Sequence, residues 1–300
     1  MTRWTGVFPA VTTKLKEDES LDLAATQASL DRLIASGVSG VIVLPMLGEN
    51  ASLTAAEREA VIRAAKEAVA GRVPLLSGLA HVGTADALAA ARHYEKLGAE
   101  GLMAFPSIAY KTDPRETAAW YRALGTGCGL PIMIYNNPIA YGVDVTPAIL
   151  NDLADVPSIV CVKEETGDIR RVTDIYNECG DRFSVFCGVD DLLLESVALG
   201  VTGWVSGMTN AFATECVKLF ELCRDGRFDE ARPLYRLLTP AFHLDTDVKL
   251  VQYIKLAEKV VYGAPEWVRA PRLPLIGAER ARVLGILEAT VAALAQARAA

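Results

Sequence analysis

The chain has 300 residues, 51% of them hydrophobic, which is enough to bury one barrel-sized core or two ordinary ones. Its formal net charge of -7 comes without any basic run, which speaks against nucleic acid or an anionic membrane as a partner. No apolar stretch approaches the roughly 18 uninterrupted residues of a membrane span, and strand-like sequence begins at Gly6-Val7-Phe8 with no signal peptide before it. The expectation is a soluble, cytoplasmic chain whose partners are small molecules and other copies of itself.

Short apolar runs recur along the chain at intervals of about 20 to 35 residues, each followed by a helical pattern, which is the rhythm of βα units. They read as Gly6 to Val11, Gly40 to Leu44, Val73 to Ser77, Gly101 to Phe105, Pro131 to Tyr135, Ile159 to Lys163, Phe183 to Cys187 and Gly203 to Val205. Helix starts are marked by Thr54-Ala55-Ala56-Glu57, a capping box, by Asp113-Pro114-Arg115-Glu116, and by Thr146-Pro147. Gly37, Gly71, Gly98 and Gly180 fall where helices should stop. Beyond the last strand, helical patterns run near Phe212 to Arg224, Phe228 to Leu238, Val248 to Tyr262 and Ala278 to Ala297. One helix closes a barrel and the rest form an appendage. The pattern predicts an α/β fold, a (β/α)8 TIM barrel over residues 1–225 with a C-terminal helical extension over 226–300.

The glycine-rich Gly125-Thr126-Gly127-Cys128-Gly129 precedes a strand instead of linking strand to helix, so it reads as a turn, not a nucleotide loop. The six cysteines include no C-x-x-C pair and read as reduced packing residues. The three histidines are far apart and offer no metal-binding spacing, so no metal is expected.

Candidate chemistry sits at strand ends, because in a parallel barrel the carboxyl ends of the strands face the active site. Lys163 ends the sixth run and Tyr135 ends the fifth. Neighbouring strands lie roughly 4.8 Å apart, so two inward side chains at matching height can touch. By alternation Ile159, Cys161 and Lys163 share a face, which places the amine in the barrel mouth. A solvated lysine, with a pKa near 10.4, has only about one amine in 2,500 neutral at pH 7. Apolar surroundings penalise the ammonium form and favour the nucleophile. Such a lysine can form a Schiff base with a ketone, and Tyr135 can move protons beside it. After the second run, Gly48-Glu49-Asn50 begins a loop whose backbone N–H groups are suited to a substrate carboxylate. Cys187-Gly188 and Ser206-Gly207 end the last two strands, where small residues leave room for a ligand.

At these residues the chain resembles the dihydrodipicolinate synthase and N-acetylneuraminate lyase family of class I aldolases. The resemblance runs from about Gly6 to Leu275 and rests on three motifs in order: Gly48-Glu49 for the G-x-x-G-E loop, Tyr135-Asn136-Asn137-Pro138 for Y-N-x-P, and Val162-Lys163-Glu164 before Thr166-Gly167-Asp168. It implies a homotetramer and Schiff-base chemistry on pyruvate or another 2-keto acid, with no cofactor beyond the lysine. Lys163 is then the Schiff-base residue and Tyr135 the proton shuttle. Met46, Leu47, Gly48, Glu49, Tyr110, Ala140, Tyr141, Gly188, Val205 and Ser206 become the candidate substrate-binding positions.

Departures from the family pattern narrow the function. Met46 and Leu47 stand where hydroxyl residues are usual. Ser107-Ile108 and Ala140 stand where the synthases that make dihydrodipicolinate carry a second tyrosine and an arginine, and Tyr110 and Tyr141 are candidates to restore hydroxyl chemistry. The stretch Val251 to Lys255 with Val268 to Leu275 is similar to family members assigned to hydroxyproline breakdown, which act on a hydroxypyrroline carboxylate. The leading expectation is a catabolic Schiff-base lyase: an aldolase, dehydratase or deaminase. Its rivals are a 4-hydroxy-tetrahydrodipicolinate synthase with altered relay residues and a barrel that binds a keto acid without turning it over.

Overall fold

A computed structural model describes residues 3–107 and 110–299. Eight parallel strands make one sheet: β1 (Gly6–Pro9), β2 (Val41–Val43), β3 (Leu75–Leu79), β4 (Gly101–Ala104), β5 (Ile132–Asn136), β6 (Ile159–Glu164), β7 (Ser184–Cys187) and β8 (Gly203–Ser206). From β2 to β8 each strand pairs with the next in sequence, and β8 pairs with β1. Past the end of β1, Ala10 bridges to Ile42 and the Val11 amide donates to the Ile42 carbonyl at 2.9 Å, which brings the first two strands together and closes the ring. The expected TIM barrel is the observed architecture.

Between and beyond the strands lie α1 (Leu23–Ala35), α2 (Ala55–Val69), α3 (Thr84–Leu97), α4 (Pro114–Gly127), α5 (Pro138–Tyr141), α6 (Pro147–Asp152), α7 (Arg170–Cys179), α8 (Leu193–Ala198), α9 (Thr209–Arg224), α10 (Phe228–Phe242), α11 (Leu250–Tyr262) and α12 (Gly277–Ala299). The start signals act as their chemistry dictates. Thr54 and Asp113 form complete capping boxes with Glu57 and Glu116, and Thr146 accepts from the Ile149 amide. Two of the departures from the sequence expectation have a plain physical cause. Strand β3 lies two residues further on, because proline has no N–H for the ladder and Pro74 instead contributes its carbonyl to Val41. Helix α10 continues past Leu238 and Pro240, since Ala241 and Phe242 are fully buried and Phe242 packs edge-on against Trp204 at 5.6 Å.

The lower barrel is plugged by aromatics. Phe8 and Phe186 meet edge-to-face with centroids 5.5 Å apart. They fit because Gly40 and Gly203 carry no side chain: a Cβ there would lie 2.1 and 2.3 Å from the two rings. The space left open is therefore at the carboxyl ends of the strands.

The C-terminal helices do not stand apart from that end. Lys255 and Glu258 of α11 are fully buried. Glu258 accepts from the Thr12 hydroxyl at 2.6 Å and pairs with the Lys14 amine, while Lys255 reaches Glu49 at 2.5 Å and the Trp267 carbonyl at 2.7 Å. Such pairs contribute little against an apolar alternative, but breaking one strands a charge at about 3–5 kcal/mol. They hold the segment after β1 and the loop after β2 against α11.

Candidate active site

Tyr135 and Lys163 are direct register partners on β5 and β6. The pairing holds despite an irregularity lower down, where Ile132 pairs with Ile159 and Met133 with Cys161, leaving Val160 without a partner on β5. The Lys163 amine stands 4.0 Å from the Tyr135 ring centroid, a cation–π contact. Gly188 makes the lysine's position possible, because a Cβ there would come within 2.9 Å of Lys163 Cε and the Glu164 carbonyl. Both side chains open on a small cleft at the carboxyl ends of the strands. Its apolar walls include Met46, Leu47, Met103 and Val205, and its polar groups are Lys163, Tyr135, Glu165 and Asp245.

The amine is not in purely apolar surroundings, as the sequence suggested. Glu165, two residues on, places Oε2 2.6 Å from Nζ. That oxygen is buried, and the contact lacks hydrogen-bond geometry, so this is a charge contact with acceptor capacity to spare. Burial, and next the Glu165 charge, push the Tyr135 phenol well above its usual value, so it keeps its proton at neutral pH. Asn137 donates weakly to its oxygen at 3.4 Å. The ring is clamped edge-on by Phe105 at 4.9 Å and by Tyr141 at 5.5 Å.

The loop after β2 works differently from expectation. The Gly48 and Glu49 amides are used within the turn, donating to the Pro45 and Met46 carbonyls at 3.1 and 2.9 Å. Among the described residues the Met46 and Leu47 amides have no acceptor, so the free backbone donors lie one step earlier, at residues that line the cleft. Glu49 sits in the left-handed region, φ 55°, and its carboxylate turns away to Lys255 and to the Arg269 amide at 2.9 Å. It is an anchor for the loop.

The remaining candidates divide. Tyr141 joins the aromatic cluster, Val205 lines the cleft and Gly188 backs Lys163. Ser206 alternates outward and accepts from the Thr209 amide at 3.0 Å, starting α9. Ala140 is exposed, with its amide committed to the Asn137 cap of α5. Tyr110 is 59% exposed. Ser107 donates to the Val82 carbonyl at 2.9 Å, and Ile108 lies outside the described residues.

Three lysines are buried at this end of the molecule: 14, 163 and 255. Burial lowers the first, and pushes Lys255 down to about 8. Neither lines the cleft, and each is locked onto a glutamate. Lys163 has both access and a neighbouring hydroxyl.

Sequence reasoning missed three carboxyl groups. Glu165 was signalled only by its nearness to Lys163. Asp190 lies behind β8, accepting from Trp204 Nε1 at 2.9 Å and from the Met208 amide at 2.8 Å, and burial pushes it up to about 7. Asp245 comes from a 3₁₀ turn (His243–Thr246) after α10, far along the chain, and no local pattern marks it. Burial, then the Asp190 and Glu165 charges, push it well above the usual carboxylate range. Among the described residues no group of three or more His, Cys, Asp or Glu is arranged to hold a metal ion, and no helix is long and apolar enough to cross a membrane.

Comparison with known proteins converges on one family. Residues 3–290 match the Dihydrodipicolinate synthetase family. A putative 2-dehydro-3-deoxy-D-gluconate aldolase, YagE, of Escherichia coli K12 is 31% identical over 294 residues, 95% of this chain and 96% of its own. An uncharacterized DapA-like lyase of Rhizobium meliloti is 30% identical, covering 91% of each chain. The crystal structure of Escherichia coli YagE in complex with pyruvate superimposes with a TM-score of 0.91 at 28% identity, over 97% of this chain and 99% of that one.

Proposed function

This chain belongs to the dihydrodipicolinate synthetase family, whose members are lyases and aldolases, and on that premise we propose that Lys163 forms a Schiff base with the carbonyl carbon of a small 2-keto acid. The observation that carries the proposal is the meeting of Lys163, Tyr135 and Glu165 at a cleft at the strand ends.

In this reading Glu165 takes the ammonium proton and the free amine attacks the carbonyl. Tyr135 donates its proton to the carbonyl oxygen as the carbinolamine forms. The carbinolamine then loses water as the nitrogen lone pair makes the iminium, with Tyr135 and Glu165 carrying the protons. The Met46 and Leu47 amides receive the substrate carboxylate. The iminium draws electrons from the adjacent carbon, so a proton leaves there or a carbon–carbon bond breaks. The resulting enamine is protonated, adds to an aldehyde, or expels a hydroxyl or amine. Water releases the product and regenerates the amine. No cofactor is required, and the working form is a cytoplasmic homotetramer.

The catabolic branch is the better fit within the family. Relatives include aldolases named for 2-dehydro-3-deoxy sugar acids, and the C-terminal stretch resembles proteins of hydroxyproline breakdown, so these acids and a hydroxypyrroline carboxylate are the substrates to test. The lysine-biosynthetic reaction is disfavoured because Ala140 replaces the arginine that resemblance to those synthases calls for. A barrel that only binds keto acids has no use for an amine paired with a tyrosine in the cleft. The proposal is tested by intact-mass measurement after pyruvate and borohydride. One reduced adduct per chain is expected in the wild type and none in Lys163→Ala; an unmodified wild type across pyruvate and longer keto acids contradicts it.

A further inference from the structure

Asp245 is 8% exposed, and among the described residues its carboxyl accepts no hydrogen bond and joins no ion pair. A buried carboxyl without a partner is destabilising by itself. It is nevertheless held at the cleft. Gly207, at the end of β8, makes room for it, since a Cβ there would lie 2.2 Å from Asp245 Oδ1. Asp245 and Lys163 line the same space, together with Glu165.

We propose that Asp245 is a specificity-determining residue that takes a hydroxyl or N–H donor at the end of the substrate remote from the carbonyl, so that the pocket accepts 2-keto acids or cyclic imines with one carboxylate and rejects 2-keto diacids. The inference rests on the Schiff-base reading above and names the substrate class of that same site. The charges support it. Lys163 is the single cation among the described residues that line the cleft, and as an iminium it is balanced by the substrate's own carboxylate. A second carboxylate would sit beside the Glu165 charge with no positive group left to receive it, and like charges at such range disfavour binding. A hydroxyl or protonated nitrogen would satisfy the orphaned acceptor, and a site built around a buried polar group rejects ligands that leave it unpaired.

The test is competition for the lysine. Wild-type protein is incubated with isotopically labelled pyruvate and borohydride against unlabelled 2-keto-3-deoxygluconate or 2-oxoglutarate, and labelled adduct is read by mass spectrometry. The sugar acid should suppress labelling at least tenfold more strongly than the diacid. In Asp245→Ala that ratio should fall to within threefold, because the polar group that receives the remote donor is gone. A wild type that takes the diacid as readily as the sugar acid would overturn the inference, and this arm needs no variant to fold. A ratio unchanged in Asp245→Ala would overturn it as well. Absence of labelled adduct without competitor is a different failure: it removes the Schiff-base reading itself, and this inference with it.

Discussion

Lys163 and Lys255 are both buried, and each has a glutamate oxygen about 2.6 or 2.5 Å from its amine. Lys163 belongs to the β5–β6 edge, where it faces a tyrosine and the cleft; Lys255 belongs to α11, where it faces Glu49 and the Trp267 carbonyl. The contrast separates two uses of the same ion pair. At the strand edge the contact leaves acceptor capacity unused and the amine accessible, which suits a group that must lose and regain a proton. At the helix the glutamate is saturated by Lys255 and the Arg269 amide, and the pair fixes the loop that carries Met46 and Leu47. Loss of ammonium stability through burial therefore does not identify the nucleophile. Access does.

The contrast can be broken at either side. Lys163→Ala should lose on the order of 10⁴-fold or more in turnover, as removal of a covalent nucleophile does, with the fold retained; retained activity on a keto-acid substrate would refute its role. Lys255→Ala should instead lose about 3 kcal/mol of stability in a denaturant titration by taking the buried amine from Glu49, which keeps only the Arg269 amide and Arg272 at 3.7 Å. An unchanged midpoint would show that the C-terminal pair does not anchor the loop. Tyr135→Phe should lower kcat by roughly 10²–10³-fold while the fold survives, since the ring contacts remain and only the hydroxyl is gone. Equal kcat in the two proteins would remove Tyr135 from the proton path.

The smallest effect concerns Asp190, behind the site. Its carboxyl has an ordinary value of 3.8 and is raised to about 7 in the folded protein, so between those values the folded state binds a proton that the unfolded state releases. The stability linked to it is full below pH 3.8 and is lost as pH rises through about 7. The melting-temperature difference between wild type and Asp190→Asn should therefore shift against the wild type as pH rises across that window. A difference independent of pH would show that Asp190 does not hold a proton in the folded protein.

Much of the strand edge was legible because its information is local. Tyr135 and Lys163 each end an apolar run, and a parallel sheet brings the ends of consecutive strands side by side. Gly188 was legible for the same reason. What the loop after β2 does was only half legible, since which amides remain free depends on how the turn spends the others, and Gly48 and Glu49 spend theirs on Pro45 and Met46. The contribution of the C-terminal helices could not be read at all. Lys255, Glu258 and Asp245 sit in ordinary helical or turn sequence, and only the docking of α11 and the preceding turn onto the barrel gives them partners or a place at the cleft. Periodicity reports which face of a helix is buried, not which charges meet beneath it.

The most direct measurement is peptide mapping of the pyruvate adduct after borohydride, carried out side by side on the wild type and on Lys255→Ala. The account predicts one modified peptide in both proteins, carrying its mass on Lys163, with Lys255→Ala less stable but labelled at the same residue. An adduct on Lys14 or Lys255 in the wild type, or labelling at Lys163 that disappears in a folded Lys255→Ala, would contradict the division between a strand edge that does the chemistry and a helix that holds its loop.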